Sequence, residues 1–224
     1  FIEKNPEPEL TAEERERGFL LFTRPITEIV YPNTRPLPEE RFECLSAFAT
    51  PGEFEPVTFA LYPIRNLQGI KIVASDLQSD SGKIPSTNVD IRLVTYYDIR
   101  FPNYNSPNTY RRIPELLEKV KLNRCIEREC QRYWVIIKIP ENTKPGLYQG
   151  ILSLACNSTK KPITIPVKVK VLAFKLQKDS TKQFTAFNYD VSCLLILFNL
   201  FVNGFFLDNS WGSRWNYQFI SGIN

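Results

Sequence analysis

The stretch YWVIIKIPENTKPGLYQGILSL, residues 133–154, holds two apolar segments on either side of a turn. Its first part, residues 133–140, is dense in β-branched and aromatic side chains, which predicts a central strand buried on both faces. Lys144-Pro145-Gly146-Leu147 has proline and glycine at the two central positions of a type II turn. A second strand is expected over residues 147–155. The stretch therefore predicts strand, turn and strand.

Four more strands are predicted on either side of this stretch, over residues 55–62, 69–74, 89–97 and 163–172. In each of them apolar residues alternate with others, as in antiparallel sheets packed face to face. Turns are predicted at Thr50-Pro51-Gly52-Glu53 and Asp80-Ser81-Gly82-Lys83. The side chains expected to face the core are Val57, Phe59, Leu61, Ile70, Ile72, Val89, Ile91, Leu93, Val167, Val169 and Val171.

Little helix is expected, because the 17 prolines are spread through residues 1–190 and would interrupt long helices. A short helix is predicted over residues 113–122, with Pro114 in its first turn and apolar residues at 113, 116, 117 and 120. One or two turns are expected at residues 11–17, where Thr11 and Glu14 have capping-box spacing. The predicted fold class is mainly β, an antiparallel β-sandwich (immunoglobulin/jelly-roll-like) with one short helix.

The composition excludes several classes of function. The 224 residues are 43% hydrophobic and 23% charged, which excludes general disorder. The net charge of +4 and the lack of any long lysine or arginine run argue against nucleic-acid binding. Histidine is absent, which excludes Ser-His-Asp and Cys-His nucleophiles and histidine-ligated metals. Methionine is absent too, so the chain is expected to be processed or a fragment.

The last 34 residues differ from the rest, with no proline and no lysine. Within them, residues 191–207 are uncharged and mostly apolar. Three interpretations stay open for residues 191–224. They are a short membrane span, a buried element of a following domain, or a tail that is not a native continuation.

Carboxylate pairs are candidates for acid–base chemistry, but here each pair lies beside arginines and is interpreted as solvated surface. The pairs are Glu13-Glu14, Glu39-Glu40 and Glu127 with Glu129. Asp76 follows a predicted strand and is expected to cap a turn rather than to abstract a proton. No catalytic residue is predicted in this chain.

Five cysteines occur, at positions 44, 125, 130, 156 and 193. A disulfide between Cys125 and Cys130 and partly buried free thiols are both consistent with the sequence. No cofactor is expected and no metal site, because the cysteine spacing is poor and glycine-rich phosphate loops are absent. Asn157-Ser158-Thr159 is a glycosylation sequon. Gly150 is interpreted as a bulge in its strand.

The most suggestive polar and aromatic cluster spans residues 96–112. Tyrosine rings stack on sugars and arginines bind hydroxyls or carboxylates, but domain interfaces use the same side chains. We interpret the cluster as a weak candidate for carbohydrate or inter-domain contact. It consists of Tyr96, Tyr97, Tyr104, Tyr110, Arg111 and Arg112, with Arg100 nearby.

Six motifs follow one another in a characteristic order. They are PGEFEPVTFALYP (51–63), LQGIKIVASDLQSDSGKIP (67–85), VDIRLV (89–94), PELLE (114–118), YWVIIKIPENTKPGLYQGILSL (133–154) and IPVKVKVL (165–172). Together they resemble the N-terminal β-sandwich domain of proteins related to glycoside hydrolase family 123. The resemblance covers about residues 15–178, and WVIIKIP followed by KPGLYQG is its most specific part.

The resemblance implies that a (β/α)8 catalytic barrel follows the sandwich. In the family an Asp-Glu pair on that barrel assists the substrate's own N-acetyl group in cleaving N-acetylgalactosaminides, and no position here matches the pair. Residues 182–190 resemble the first barrel strand, but the pattern ends at about Val191, and a barrel of roughly 250 residues does not fit beyond it. We expect a sandwich over residues 1–178 and a linker with the start of a truncated or aberrant domain over residues 179–224.

The function implied is that of a non-catalytic front domain of a glycoside hydrolase-like protein. Its partner would be the missing barrel, and its location secreted or periplasmic. The alternative is an autonomous carbohydrate-binding or adhesion module that uses the tyrosine cluster. Neither nucleic acid nor a membrane is expected as a partner.

Overall fold

The computed structural model describes residues 3–100, 109–119 and 123–176. The predictions for Tyr104, Cys193, the boundary at residue 178 and the tail at 191–224 lie outside these residues. In the described part of the chain, the helices are too short and too polar to cross a bilayer.

Twelve strands and one α-helix make up the described structure. The helix α1 is Ala12–Arg17, and two 3-10 turns lie at Pro38–Glu40 and Ser86–Asn88. The strands are β1 Phe19–Phe22, β2 Leu45–Ala49, β3 Phe54–Pro63, β4 Leu67–Ala74, β5 Leu77–Ser79, β6 Gly82–Ile84, β7 Val89–Arg100, β8 Tyr110–Lys119, β9 Asn123–Cys125, β10 Gln131–Lys138, β11 Gly146–Ala155 and β12 Ile163–Val171.

The strands form two sheets. The first has the order β1-β3-β10-β7-β8, so β10 is central as predicted. The second has the order β2-β12-β11-β4-β9, with the β5–β6 hairpin beside β11. The predicted mainly-β sandwich is confirmed. One pair, β2 with β12, is parallel rather than antiparallel.

The core lies between the two sheets and is built from the inward side chains of alternating positions. Phe59 and Tyr133 stack with ring centroids 5.2 Å apart. Val57, Phe59 and Leu61 face this core as predicted. On β12 the three valines are buried while Lys168 and Lys170 are exposed, so the predicted alternation is confirmed. The sandwich is held together by these inward apolar residues.

The outer face of the first sheet is covered in part by residues 23–44, which we call the covering segment. A second apolar cluster forms beneath it, from Leu20, Phe22, Val30, Ala60, Tyr62 and Cys130. Because both faces of β1 and much of β3 are covered, these strands are buried almost throughout. The covering segment therefore adds a third layer over β1 and part of β3, while Phe54 and most of β8 stay exposed.

The helix predicted over residues 113–122 is wrong. Residues 110–119 form the edge strand β8, paired with β7 from Arg92↔Lys119 to Arg100↔Tyr110. Pro114 is tolerated because it lies at an irregularity of this ladder, next to Tyr96. Pairing with β7 thus overrides the helical spacing of the apolar residues. The one short helix is α1, where the predicted capping box of Thr11 and Glu14 is present.

The turn predicted at Thr50-Pro51-Gly52-Glu53 is present between β2 and β3. The Glu53 N–H donates to the Thr50 carbonyl at 3.2 Å. Gly52 has φ of 93°, which explains the need for glycine at this position.

The bulge predicted at Gly150 is wrong as well. The β11–β12 ladder runs without a break from Gly146↔Val171 to Leu154↔Ile163, and Gly150 pairs with Val167. Glycine is needed here because another segment comes close. A β-carbon at position 150 would lie 2.9 Å from the Asp76 carbonyl oxygen and 2.5 Å from Cδ2 of Leu77.

Gly150→Ala is expected to lower the free energy of unfolding by about 1–3 kcal/mol, because the added methyl group overpacks the contact with Asp76. Thermal denaturation should show this as a lower melting temperature than that of Ser153→Ala, a control substitution on the same strand. Equal melting temperatures for the two variants would show that the segment of Asp76 and Leu77 moves to admit the methyl group without loss of stability.

Candidate functional site

The outer half of the β7–β8 hairpin carries the predicted tyrosine and arginine cluster. The register pairs Tyr96 with Pro114, Tyr97 with Ile113 and Arg100 with Tyr110. Because successive side chains of a strand alternate between faces, the cluster is divided. Tyr96, Tyr110 and Arg112 share the face toward the covering segment, whereas Tyr97 and Arg111 lie on the other face.

Tyr96 holds the covering segment. Its hydroxyl donates to the Val30 carbonyl at 2.9 Å. Burial raises the pKa of this phenol well above its ordinary value. The hydroxyl is thus engaged in a structural hydrogen bond.

Tyr110 is the most exposed of the described tyrosines in the cluster, at 53% of its surface. The Arg100 Nε donates to its hydroxyl at 3.2 Å, and the guanidinium lies 5.8 Å from the ring centroid. Such a cation–π pair holds one face of the ring. Among the described tyrosines of the cluster, Tyr110 still exposes the most surface.

A polar cavity of about 150 Å³ lies beside the middle of the hairpin. Tyr96 and Arg112 line it together with Arg124, Glu129 and Gln131. The cavity brings two of the predicted contact residues together with charged groups of both signs. Its size would admit a few water molecules rather than an oligosaccharide.

An apolar groove of about 240 Å³ was missed by the sequence analysis. It lies between the covering segment and β8, and Ile26, Ile29, Leu117 and Trp134 are among its lining residues. Trp134 is the only sequence feature that could have pointed to it, as an aromatic residue on the outward face of a strand.

Arg132 lies at the base of this groove and is 5% exposed. Its Nη1 donates to the Glu28 carbonyl at 2.6 Å, and its Nη2 donates to Thr58 Oγ1 at 2.8 Å. Nη2 also reaches the carbonyls of Arg24 and Pro25 at 3.2 and 3.1 Å. Burial lowers the pKa of the guanidinium. Arg132 therefore fixes the covering segment to the sheet.

The carboxylate pairs match the predicted solvated surface only in part: Glu13, Glu39 and Glu127 are exposed, whereas Glu14 and Glu40 are more enclosed. Glu14 is 4% exposed, so its interpretation as solvated surface is wrong. It is buried because Arg41, from the covering segment, binds both of its oxygens, at 2.9 and 3.0 Å. Glu40 accepts hydrogen bonds from Arg24 and from the Leu37 N–H. These two carboxylates hold the covering segment and α1 in place.

Asp76 caps a turn, as predicted. It accepts a hydrogen bond from the Ser86 N–H at 2.8 Å and one from Lys83 Nζ at 3.0 Å. The Ser86 N–H bond lowers the pKa of this carboxyl most, and the Lys83 bond adds to the effect. Asp76 is thus an ionised turn residue.

The four described cysteines are free thiols. Cys125 belongs to the core between the sheets, whereas Cys130 belongs to the cluster under the covering segment. Burial raises the pKa of Cys125 to about 12, which keeps its thiol protonated. Over residues 3–100, 109–119 and 123–176, no group of three potential metal ligands is found.

Comparison with known proteins identifies the domain. Residues 27–156 match the model of the glycoside hydrolase 123 N-terminal domain. Among solved structures, a family 123 glycoside hydrolase from Clostridium perfringens is similar with a TM-score of 0.55 and 20% identity. The match covers 61% of this chain and 24% of that one, so the chain spans about a quarter of the length of that enzyme.

More distant structures are matched only weakly. The CooA pilin subunit of enterotoxigenic Escherichia coli has a TM-score of 0.37 and 9% identity, over 70% of this chain and 99% of that one. A type I cohesin from Pseudobacteroides cellulosolvens has a TM-score of 0.26 and 14% identity, over 62% and 95%. No curated protein sequence gives a significant match. The sandwich and the match over residues 27–156 place this chain in the family of glycoside hydrolase 123 N-terminal domains.

Proposed function

We propose that this chain is a non-catalytic front domain that packs on and supports the catalytic barrel of a glycoside hydrolase. The observation that carries the proposal is the family match, which covers residues 27–156, the greater part of the sandwich. The placement of Glu14, Glu40 and Asp76 supports it, because each of these carboxylates is held by hydrogen bonds that stabilise the fold.

The parent protein is proposed to act on N-acetylgalactosaminide-type glycans outside the cell or in a periplasm. The substrate class and the location both come from the resemblance to family 123. In this scheme the barrel supplies the reacting carboxylates. The sandwich packs on the barrel and stabilises it.

The purified 224-residue chain is expected not to hydrolyse a chromogenic N-acetylgalactosaminide. The measurement is release of the chromophore, with a complete family 123 enzyme as the positive control. Turnover that scales with the concentration of this chain, and that persists through purification, would refute the proposal.

A carbohydrate-binding module is the second candidate function, because Tyr110 is exposed and its ring is fixed by Arg100. Retention of the chain on immobilised glycans would favour this function if Tyr110→Ala abolishes it. Tyr97→Ala is the matched control, since Tyr97 lies on the opposite face of the same hairpin. No retention is expected from the front-domain proposal.

A further inference from the structure

The two sheets of the sandwich differ in what covers their outer faces. The first sheet is covered in part by residues 23–44, which are held by Arg132 and Tyr96, and it leaves Phe54 exposed. The second sheet carries no such segment among the described residues. Its outer face instead exposes four large apolar side chains, namely Phe48, Val73, Leu147 and Ile151.

Phe48 and Leu147 lie on either side of Lys170 on the outer face of the second sheet. Phe48 on β2 pairs with Lys170 on β12, and Lys170 pairs with Leu147 on β11. Cross-strand neighbours on one face have β-carbons about 5 Å apart. We call Phe48, Lys168, Lys170 and Leu147 the exit patch. Phe48 is 69% exposed and Leu147 is 48% exposed. Two large apolar side chains on the same face therefore meet solvent, as at a surface that binds a partner.

The strands of this face carry charge of one sign, and the nearby Glu141 pairs with Lys175 at 3.5 Å. None of the strands β2, β4, β11 and β12 contains an aspartate or a glutamate. Lys168 and Lys170 lie on the outer face of β12, where both are exposed. A partner surface that fits the exit patch is therefore apolar and carries carboxylates opposite the two lysines.

The chain leaves the sandwich beside this patch. β12 ends at Val171, and the Leu172 N–H donates to the Ala49 carbonyl on β2 at 2.9 Å. Phe174 and Leu176, which follow, are exposed apolar residues as well. Lys170, the residue that pairs with Phe48, is only six residues before Leu176. A domain attached after Leu176 would therefore have a high effective concentration at the patch.

We propose that the exit patch is the surface on which the catalytic barrel rests, with the barrel presenting apolar side chains and carboxylates to it. This inference rests on the proposed function and adds to it the face and the chemistry of the contact. A second copy of this chain is a poorer occupant, because it would bring lysines against lysines.

Thiol labelling at two matched positions tests the proposal. Phe48→Cys and Phe54→Cys each replace an exposed phenylalanine, the first on the outer face of the second sheet and the second on that of the first sheet. Each variant is made in the 224-residue chain and in a chimera in which the catalytic barrel of the Clostridium perfringens family 123 glycoside hydrolase follows Leu176. The labelling rate of the introduced thiol with a maleimide is then compared between the two lengths.

In the chimera, the thiol at position 48 is expected to react about tenfold more slowly than in the 224-residue chain, since the reagent reaches a covered thiol only when the contact opens. The thiol at position 54 is expected to react equally fast in both. Slow labelling at position 54 but not at position 48 would overturn the exit patch and leave the front-domain function standing. Fast labelling at both positions in both proteins would contradict the packing of the sandwich on a barrel altogether.

Discussion

Arg132→Met is expected to reduce the free energy of unfolding by about 3–4 kcal/mol, because it removes four hydrogen bonds that a buried guanidinium makes. Methionine fills a similar volume but donates no hydrogen bond, so the apolar packing is largely kept while the polar contacts are lost. The Glu28 carbonyl and the Thr58 hydroxyl lose the donor that Arg132 supplies. The carbonyls of Pro25 and Arg24 each lose one of two donors, since they keep bonds from the Glu28 N–H and from Thr58 Oγ1. Urea denaturation measures the loss.

Arg92→Met is the matched control. Arg92 lies beside Trp134 on the neighbouring strand β7 and binds Asp90 near the surface. Its replacement is expected to change the free energy of unfolding by less than about 0.5 kcal/mol. In Arg132→Met, proteolysis within residues 23–44 should also begin at urea concentrations where the strands are still folded. If the two variants unfold at the same urea concentration, Arg132 does not hold the covering segment.

Six strands were predicted from the sequence and are present. Alternation predicted β3, β4, β7 and β12, the dense apolar run predicted β10, and β11 was expected after the turn that follows β10. β1 was missed because all four of its residues, Phe19–Phe22, are buried, so no polar face marks it as a strand. It is buried on both sides only because the covering segment packs on the outer face of its sheet, and sequence periodicity does not contain that information.

The error at residues 113–122 has a different origin. Apolar residues at 113, 116 and 117 fit helical spacing, and Pro114 is a favoured residue for a first helical turn. The long strand β7 nevertheless has backbone N–H and C=O groups along one edge that need partners, and residues 110–119 supply them by pairing as β8. The helix propensity of residues 113–117 contributes less to the free energy than the hydrogen bonds of the β7–β8 pairing.

The contact residues were predicted as one cluster, but sequence does not determine which of them share a face. Glu115 is the extra residue of the β7–β8 ladder, where Leu116 pairs with Thr95 and Pro114 pairs with Tyr96. Such a one-residue shift reverses the face of every residue beyond it. Arg132 could not be recognised either, because its partners Thr58 and Glu28 lie 74 and 104 residues away in sequence.

Glu14→Gln is expected to reduce the free energy of unfolding by about 2–3 kcal/mol at neutral pH, because it removes the buried anion that Arg41 binds. The Glu14 carboxylate accepts two hydrogen bonds from Arg41 and one from the Thr11 N–H. An amide presents an NH2 group in place of one of these oxygens, so a donor faces a donor. The expected loss is below that of a fully buried pair because Arg41 is partly exposed.

The same carboxylate makes stability depend on pH. Burial alone would raise the pKa of Glu14, but the hydrogen bonds from Arg41 and Thr11 outweigh it, and the pKa lies below its ordinary value. A carboxyl whose pKa is lowered by folding stabilises above the pKa of its unfolded form, about 4.3, and loses this contribution as the pH falls through the lower value. The unfolding free energy of the wild type should therefore fall more steeply below about pH 5 than that of Glu14→Gln.

Glu13→Gln is the control for both measurements, because Glu13 is the exposed neighbour of Glu14 on the same helix. It is expected to leave the neutral-pH stability and the acid slope nearly unchanged. Urea denaturation at pH 7 and at pH 4 compares the three proteins. Since Arg41 belongs to the covering segment and Glu14 to α1, a steep acid slope that only Glu14→Gln removes would show that this ion pair joins the two. Identical slopes for all three proteins would mean that Arg41 gains nothing from the charge of Glu14.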